Sequence, residues 1–141
     1  LDWKRAGNDF LIRLYPGEEI VEKLTHWSQE AGLKSGTVQG LGAVRDVVLA
    51  YFDASPKAYH QWGNPGNWEL VHLWGNLTER NGKPFWHLHA VISDREGNCK
   101  AGHLVSAVIS VTAELVVMPW SESVQRRLDE STGLSLWNLE K

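Results

Sequence analysis

The stretch HLHAVISDREGNCKAGHL, residues 87–104, reads as two strands joined by a tight turn, and its register decides both the sheet and the candidate site. Side chains alternate across a strand, so His87 and His89 point the same way, about 7 Å apart along the chain. Arg95, Glu96 and Gly97 make a three-residue hairpin loop, Gly97 supplying the left-handed conformation such loops use, which sets Asp94 opposite Asn98. Counting back in register puts His103 directly across from His89, on the shared face, with Cβ atoms about 5 Å apart. A loop one residue longer or shorter would turn His103 away.

Working outward, WELVHLWGNL (68–77) is a strand, TERNGK carries an Asn81-Gly82 hairpin signal, and PFWHLHAVIS (84–93) is the returning strand. If Asn81 and Gly82 alone form that loop, Trp74 opposes His89, Asn76 opposes His87, and His72 joins the histidine face; a three-residue loop would send His72 to the other side. DFLIRLY (9–15) alternates as a strand does. In PGEEIVEKLTHWSQEAG, Ile20, Leu24, Trp27 and Ala31 fall at helical spacing, acids occupy the first turn and Gly32 is placed to stop the helix.

SGTVQGLGAVRDVVLAYFD reads as a glycine-punctuated strand followed by a second from Val44 to Phe52. Its glycines do not make a phosphate loop, because no lysine followed by serine or threonine ensues and no helix opens there. ASPKAYHQWGNPGN (54–67), dense in Pro, Gly and Asn, reads as a long loop or a loop with one short strand. CKAGHL and SVTAELVVM are extended, Pro119 ends the latter, and SESVQRRLDESTGLSLWNLEK is expected to hold a short helix before a tail anchored by Leu136, Trp137 and Leu139. The expected fold is α+β: a largely antiparallel sheet with one main amphipathic helix, in a single domain over residues 1–141.

With 14 Lys and Arg against 17 Asp and Glu, the net charge of -3 offers no global field for nucleic acid or an anionic membrane. No apolar run approaches the roughly 18 residues that a spanning helix needs. One cysteine, Cys99, forms no internal disulfide and suits a reducing compartment, so the cytoplasm is the expected location. The 8 tryptophans are many for this length, and large aromatics with a polar handle favour subunit contacts, so self-association is expected.

Three neutral imidazoles at His87, His89 and His103 form the ligand set of an open metal centre, with zinc first and other divalent transition metals compatible with the same ligands. The competing reading is a half-exposed strand whose histidines are merely hydrogen-bonded. A reacting metal centre also wants a proton acceptor or a charged fourth ligand. Glu69 and Glu114, which interrupt otherwise apolar strands, are the candidate catalytic acids; the competing reading for each is a surface acid at a strand end. Cys99 would face the histidine side two pairs away and reads as an inert or buried thiol. His26 on the helix and His60 in a loop have no evident partners, and no serine sits in a nucleophile elbow.

RLYPGEEIVEKL, GLGAVRDVVLAYFD, WELVHLWGNLT, HLHAVISDREGNCKAGHL, VTAELVV and DESTGLSLW, in that order, resemble the plant and prokaryote conserved (PPC) domain, which also occurs in plant AT-hook nuclear proteins. The resemblance covers nearly the whole chain, and its most specific part is the HxH followed by glycine-histidine-leucine. It implies a strongly curved, largely antiparallel sheet forming a partial barrel, assembly as a homotrimer, and a metal-binding histidine set carried onto His87, His89 and His103. The architecture it implies is similar to that of acetolactate decarboxylase and of a human ester-hydrolase-like protein, which points to a small-molecule ligand at the metal and a lyase or hydrolase reaction. Where the family has two glycines before the third histidine, this chain has Ala101 and Gly102. Plant relatives bind AT-rich DNA through a separate glycine-arginine-proline core; this sequence has none, and DNA is not an expected partner of the domain.

Overall fold

A computed structural model describes residues 1–140. Its elements run β1 (Asp2–Ala6), β2 (Asp9–Leu14), α1 (Ile20–Glu30), β3 (Gly36–Asp53), β4 (Ala58–Arg80), β5 (Lys83–Ser93), β6 (Cys99–Pro119), β7 (Gln125–Asp129) and β8 (Leu134–Asn138). All strands belong to one sheet, ordered β1-β2-β6-β3-β4-β7-β8, in which β5 pairs with both β4 and β6. The strands β3, β4, β5 and β6 therefore pair in a closed circuit, which forces the strong curvature of an otherwise antiparallel sheet.

The helix follows from its sequence. Glu19 caps its start, accepting from the Glu22 backbone N–H at 2.7 Å. Ile20, Leu24 and Trp27 are buried on one face. Gly32, at φ +64, ends it. That buried face joins Phe10, Ile12, Leu14, Leu73, Leu77, Leu88, Ile92, Ile109 and Leu115 in one core. Trp86 ties β5 to the helix, its indole donating to Ser28 Oγ at 3.3 Å. Because Trp86 and Leu88 face inward, His87 and His89 between and beyond them must face out.

Three segments depart from the sequence reading. The two strands expected between Gly36 and Phe52 are one, β3, bent by bulges at Gly40/Gly42 and Arg45/Val47. The expected loop over 54–67 is a loop only from 54 to 57; the rest is the outer half of β4, paired with β3 except at one bulge. Pro65 and Gly66 sit outside the ladder, opposite Asp46 at φ 52, whose carboxylate accepts from the Gly66 N–H at 3.2 Å. A proline there costs no ladder hydrogen bond. Finally, the C-terminal segment expected to hold a short helix is the β7–β8 hairpin instead, joined to β4 at Glu79 and Gln125. Its turn is held by Asp129, which accepts from the Thr132 N–H at 3.0 Å, and by Gly133 at φ +77.

Candidate metal centre

Two hairpins fix the histidines. The β4–β5 loop is Asn81-Gly82 alone, with φ 54 and 72 and Arg80 opposite Lys83, so Trp74 opposes His89 and Asn76 opposes His87. The β5–β6 loop is Arg95–Gly97, with Gly97 at φ +86 and the Asp94 N–H donating to the Asn98 carbonyl at 3.0 Å. Asp94 braces this turn through its carboxylate, which accepts from the N–H of Glu96 at 3.0 Å and of Asn98 at 2.8 Å. The register then runs Ser93 to Cys99, Val91 to Ala101 and His89 to His103.

Glycines press these strands together. A Cβ on Gly102 would lie 2.8 Å from the Ala50 carbonyl oxygen, so β6 carries His103 against β3 only without a side chain there. Ala101, where the resembling family has another glycine, is exposed and keeps its methyl at no cost. A Cβ on Gly75 would overlap the His87 carbonyl oxygen and lie 2.6 Å from Leu88 Cδ2.

The three imidazoles converge. Their candidate ligand atoms all lie within 4.8 Å of one another, and ring centroids stand 5.1 to 5.6 Å apart. Nε2 of His87 and Nε2 of His89 are 3.2 Å apart. Two nitrogens bound tetrahedrally to zinc at the usual bond lengths stand about 3.3 Å apart, so this pair already has the edge length of such a site. His103 Nδ1 is buried with no hydrogen-bond partner among the described residues. Burial and mutual proximity hold the rings neutral: His87 is pushed down to about 4 by burial, then by His103, His89 and Arg126, while burial lowers His89 and burial with His89 lowers His103. Neutral rings offer the lone pairs a cation needs. Donor type, spacing and protonation all fit a divalent transition metal.

One cavity of about 720 Å³ opens over His87 and His103, with Tyr59, Asn76, Phe85, Arg80, Arg126 and Trp137 in its wall. Tyr59 packs on His103 with ring centroids 4.8 Å apart. Arg126, from the C-terminal hairpin, donates through Nε to Thr78 Oγ1 at 2.6 Å, through Nη1 to the Ser135 carbonyl at 2.8 Å, and through Nη2 to Asn76 Oδ1 at 2.8 Å. Asn76 Oδ1 also accepts from the Trp137 indole at 3.3 Å. Sequence reasoning missed Arg126, Arg80 and Tyr59; for Arg126, the short helix expected in SESVQRRLDESTGLSLWNLEK hides the strand alternation that aims it inward while Arg127 faces solvent.

The other candidates lie elsewhere in the chain. Glu69 is exposed, opposite Ser93 and Ala43. Glu114 is exposed on β6 opposite Arg13 and Leu41, and lines a second cavity of about 710 Å³ with His72, Val71 and Trp3. Neither acid lines the cavity over the histidines. His72 does share the face of Trp74, on which it stacks with centroids 6.0 Å apart, but it stands outside the triad. His26 and His60 are exposed, the latter stacked on Trp62. Cys99 is exposed rather than buried.

Residues 2–121 match the model of the Plants and Prokaryotes Conserved (PCC) domain. The chain belongs to the PCC domain family. No curated protein matches it. Among solved structures, this PCC domain is similar to a candidate DNA-binding protein from Bacteroides thetaiotaomicron, at 30% identity and TM-score 0.95, over 99% of this chain and 98% of that one. It is similar to a metal-containing protein from Archaeoglobus fulgidus, at 33% identity and TM-score 0.88, over 98% and 99%. A plant- and prokaryote-conserved protein from Pyrococcus horikoshii is 27% identical, with TM-score 0.87, over 99% and 95%. No described helix of the PCC domain is long and apolar enough to cross a membrane.

Proposed function

We propose that this PCC domain is a metal-binding protein that assembles as a homotrimer, holds zinc or another divalent transition metal on His87, His89 and His103, and carries out a small-molecule lyase or hydrolase reaction there. The observation that carries the reading is the convergence of three neutral imidazoles, with the His87 and His89 nitrogens 3.2 Å apart, under an open cavity. The description of the Archaeoglobus relative as metal-containing supports it. A bound divalent metal supplies Lewis-acid polarisation of a substrate oxygen. Tyr59, whose ring packs on His103, brings a hydroxyl to the cavity wall that can hold or move a proton, and Asn76 and Trp137 shape the wall. Glu69 and Glu114 do not line this cavity within one chain.

The outer face of the sheet supports self-association. Leu11, Leu41, Val71, Trp74 and Val111 are all exposed, an apolar set suited to burial against further copies. A second reading, a DNA-associated or interaction module without catalysis, draws on the description of the Bacteroides relative. The net charge of -3 weighs against it.

Elemental analysis of protein purified without a histidine tag tests the centre. Close to one transition metal per chain is expected, and His89→Ala should lose it. Metal-free wild-type protein that cannot be reconstituted refutes the site. Tight, salt-sensitive binding to AT-rich duplex in a mobility-shift titration would favour the second reading.

A further inference from the structure

The cavity over the histidines is positively charged and has no counter-charge of its own. Arg80 and Arg126 both lie against the Phe85 ring, their Cζ atoms 4.4 and 4.7 Å from its centroid. Among the described residues no Asp or Glu lines this cavity, and neither arginine is in a salt bridge; the bridges present join other groups. Arg126 spends three of its five N–H donors on Thr78, Ser135 and Asn76, which clamp its plane and leave one free donor on each terminal nitrogen. The Arg80 side chain is exposed and has no hydrogen-bond partner among the described residues. Two like charges stacked on one ring repel; in a protein of net charge -3, acids were available to separate or neutralise them, yet none is placed here.

We infer that this cavity recognises a small carboxylate-bearing molecule, whose carboxylate is received by Arg126 and Arg80 while its other end reaches toward His87 and His103. A planar guanidinium with a free donor left on each terminal nitrogen can serve the oxygens of a carboxylate, and a clamped one loses little freedom on binding. The position of the ligand's far end rests on the metal-centre reading; the arginine site does not. The hairpin β7–β8 is then the substrate-binding wall, and Trp137, held on Asn76, closes it.

Calorimetric titration with malonate tests this on metal-loaded and metal-free full-length protein, with malonamide as the uncharged isostere and inorganic phosphate as the competing anion. Malonate should bind the loaded protein and malonamide should not. Arg80→Gln, which removes a group that only stacks on a ring, should weaken malonate binding about tenfold, and Arg126→Gln by up to about a hundredfold. If Arg126→Gln unfolds, as circular dichroism would show, Arg80→Gln carries the test. Equal binding of malonate and malonamide, tighter binding of phosphate than malonate, wild-type affinity in Arg80→Gln, or no malonate binding to protein that does take up metal each overturns the inference. Arginine-dependent malonate binding by protein that takes up no metal would instead refute the metal centre and leave the carboxylate site standing.

Discussion

Gly75→Ala perturbs the proposed centre without touching a ligand. Gly75 lies on β4 facing the core, one residue from the Asn76 that pairs with His87. A methyl there overlaps the His87 carbonyl oxygen, which is backbone, and Leu88 Cδ2, which can swing away. Real Cβ contacts essentially never fall below 3.0 Å, so the β5 backbone at His87 must retreat by about half an ångström or more. Metal–ligand distances tolerate only about 0.2 Å, and disturbing the support of a ligand typically weakens metal binding about 10- to 100-fold. Overpacking itself costs about 1–3 kcal/mol, or a Tm lower by roughly 3–10 °C for a chain of this length. Gly63→Ala, on the same strand with nothing within 4 Å and ordinary φ, is the control and should leave both quantities unchanged. Competition against a chromophoric chelator reads the affinity, and thermal unfolding of chelator-treated protein reads the packing cost. Wild-type metal affinity in Gly75→Ala, or an equal loss in Gly63→Ala, would show that β4 does not set the position of His87.

The remaining predictions concern protonation and the turn. In metal-free protein His87 titrates near 4 when folded, against 6.5 when free, so below pH 6.5 the unfolded chain takes up a proton that the folded one refuses. Stability from this residue is full above pH 6.5 and falls as the pH drops toward 4, by about 1–2 kcal/mol once solvent screening of a half-buried ring is included; urea unfolding should show this slope, and His87→Gln should flatten it by that amount. An unchanged slope in His87→Gln would disprove the assignment. Gly97→Ala puts a side chain at φ +86 and should cost about 1–2 kcal/mol, lowering Tm by several degrees, while the Asp94 hydrogen bonds keep the register and one metal per chain is retained. A variant as stable as the wild type would mean that the loop does not depend on that conformation.

How far the sequence carries depends on the span of the contact that decides each feature. The pairing of His89 with His103 is set by a turn of three residues whose glycine announces its own conformation, so alternation and counting suffice. The helix, likewise, is a local matter of Ile20, Leu24 and Trp27 and their caps. The outer half of β4 was illegible for the opposite reason. GNPGN carries loop residues, and only the long-range bulge at Asp46 in β3 makes room for Pro65 and Gly66 inside a continuous strand.

The same rule divides the site. Its histidine half lies within one stretch, His87 to His103, and the chemistry of three imidazoles on one sheet face could be inferred from spacing. Its arginine half is built by contacts from Arg126 back to Thr78 and Asn76, far apart in sequence, and no periodicity in QRRLD encodes them. In isolation that charged segment has reasonable helix propensity, a weak preference that tertiary contacts override. Here the override is specific: the strand conformation aims Arg126 at Phe85 and Asn76, whereas Arg127, one residue on, pairs with Glu140 in solvent. A hairpin that gives up local preference to hold one guanidinium in a cavity without acids among the described residues is better explained by what that cavity binds than by the stability it adds.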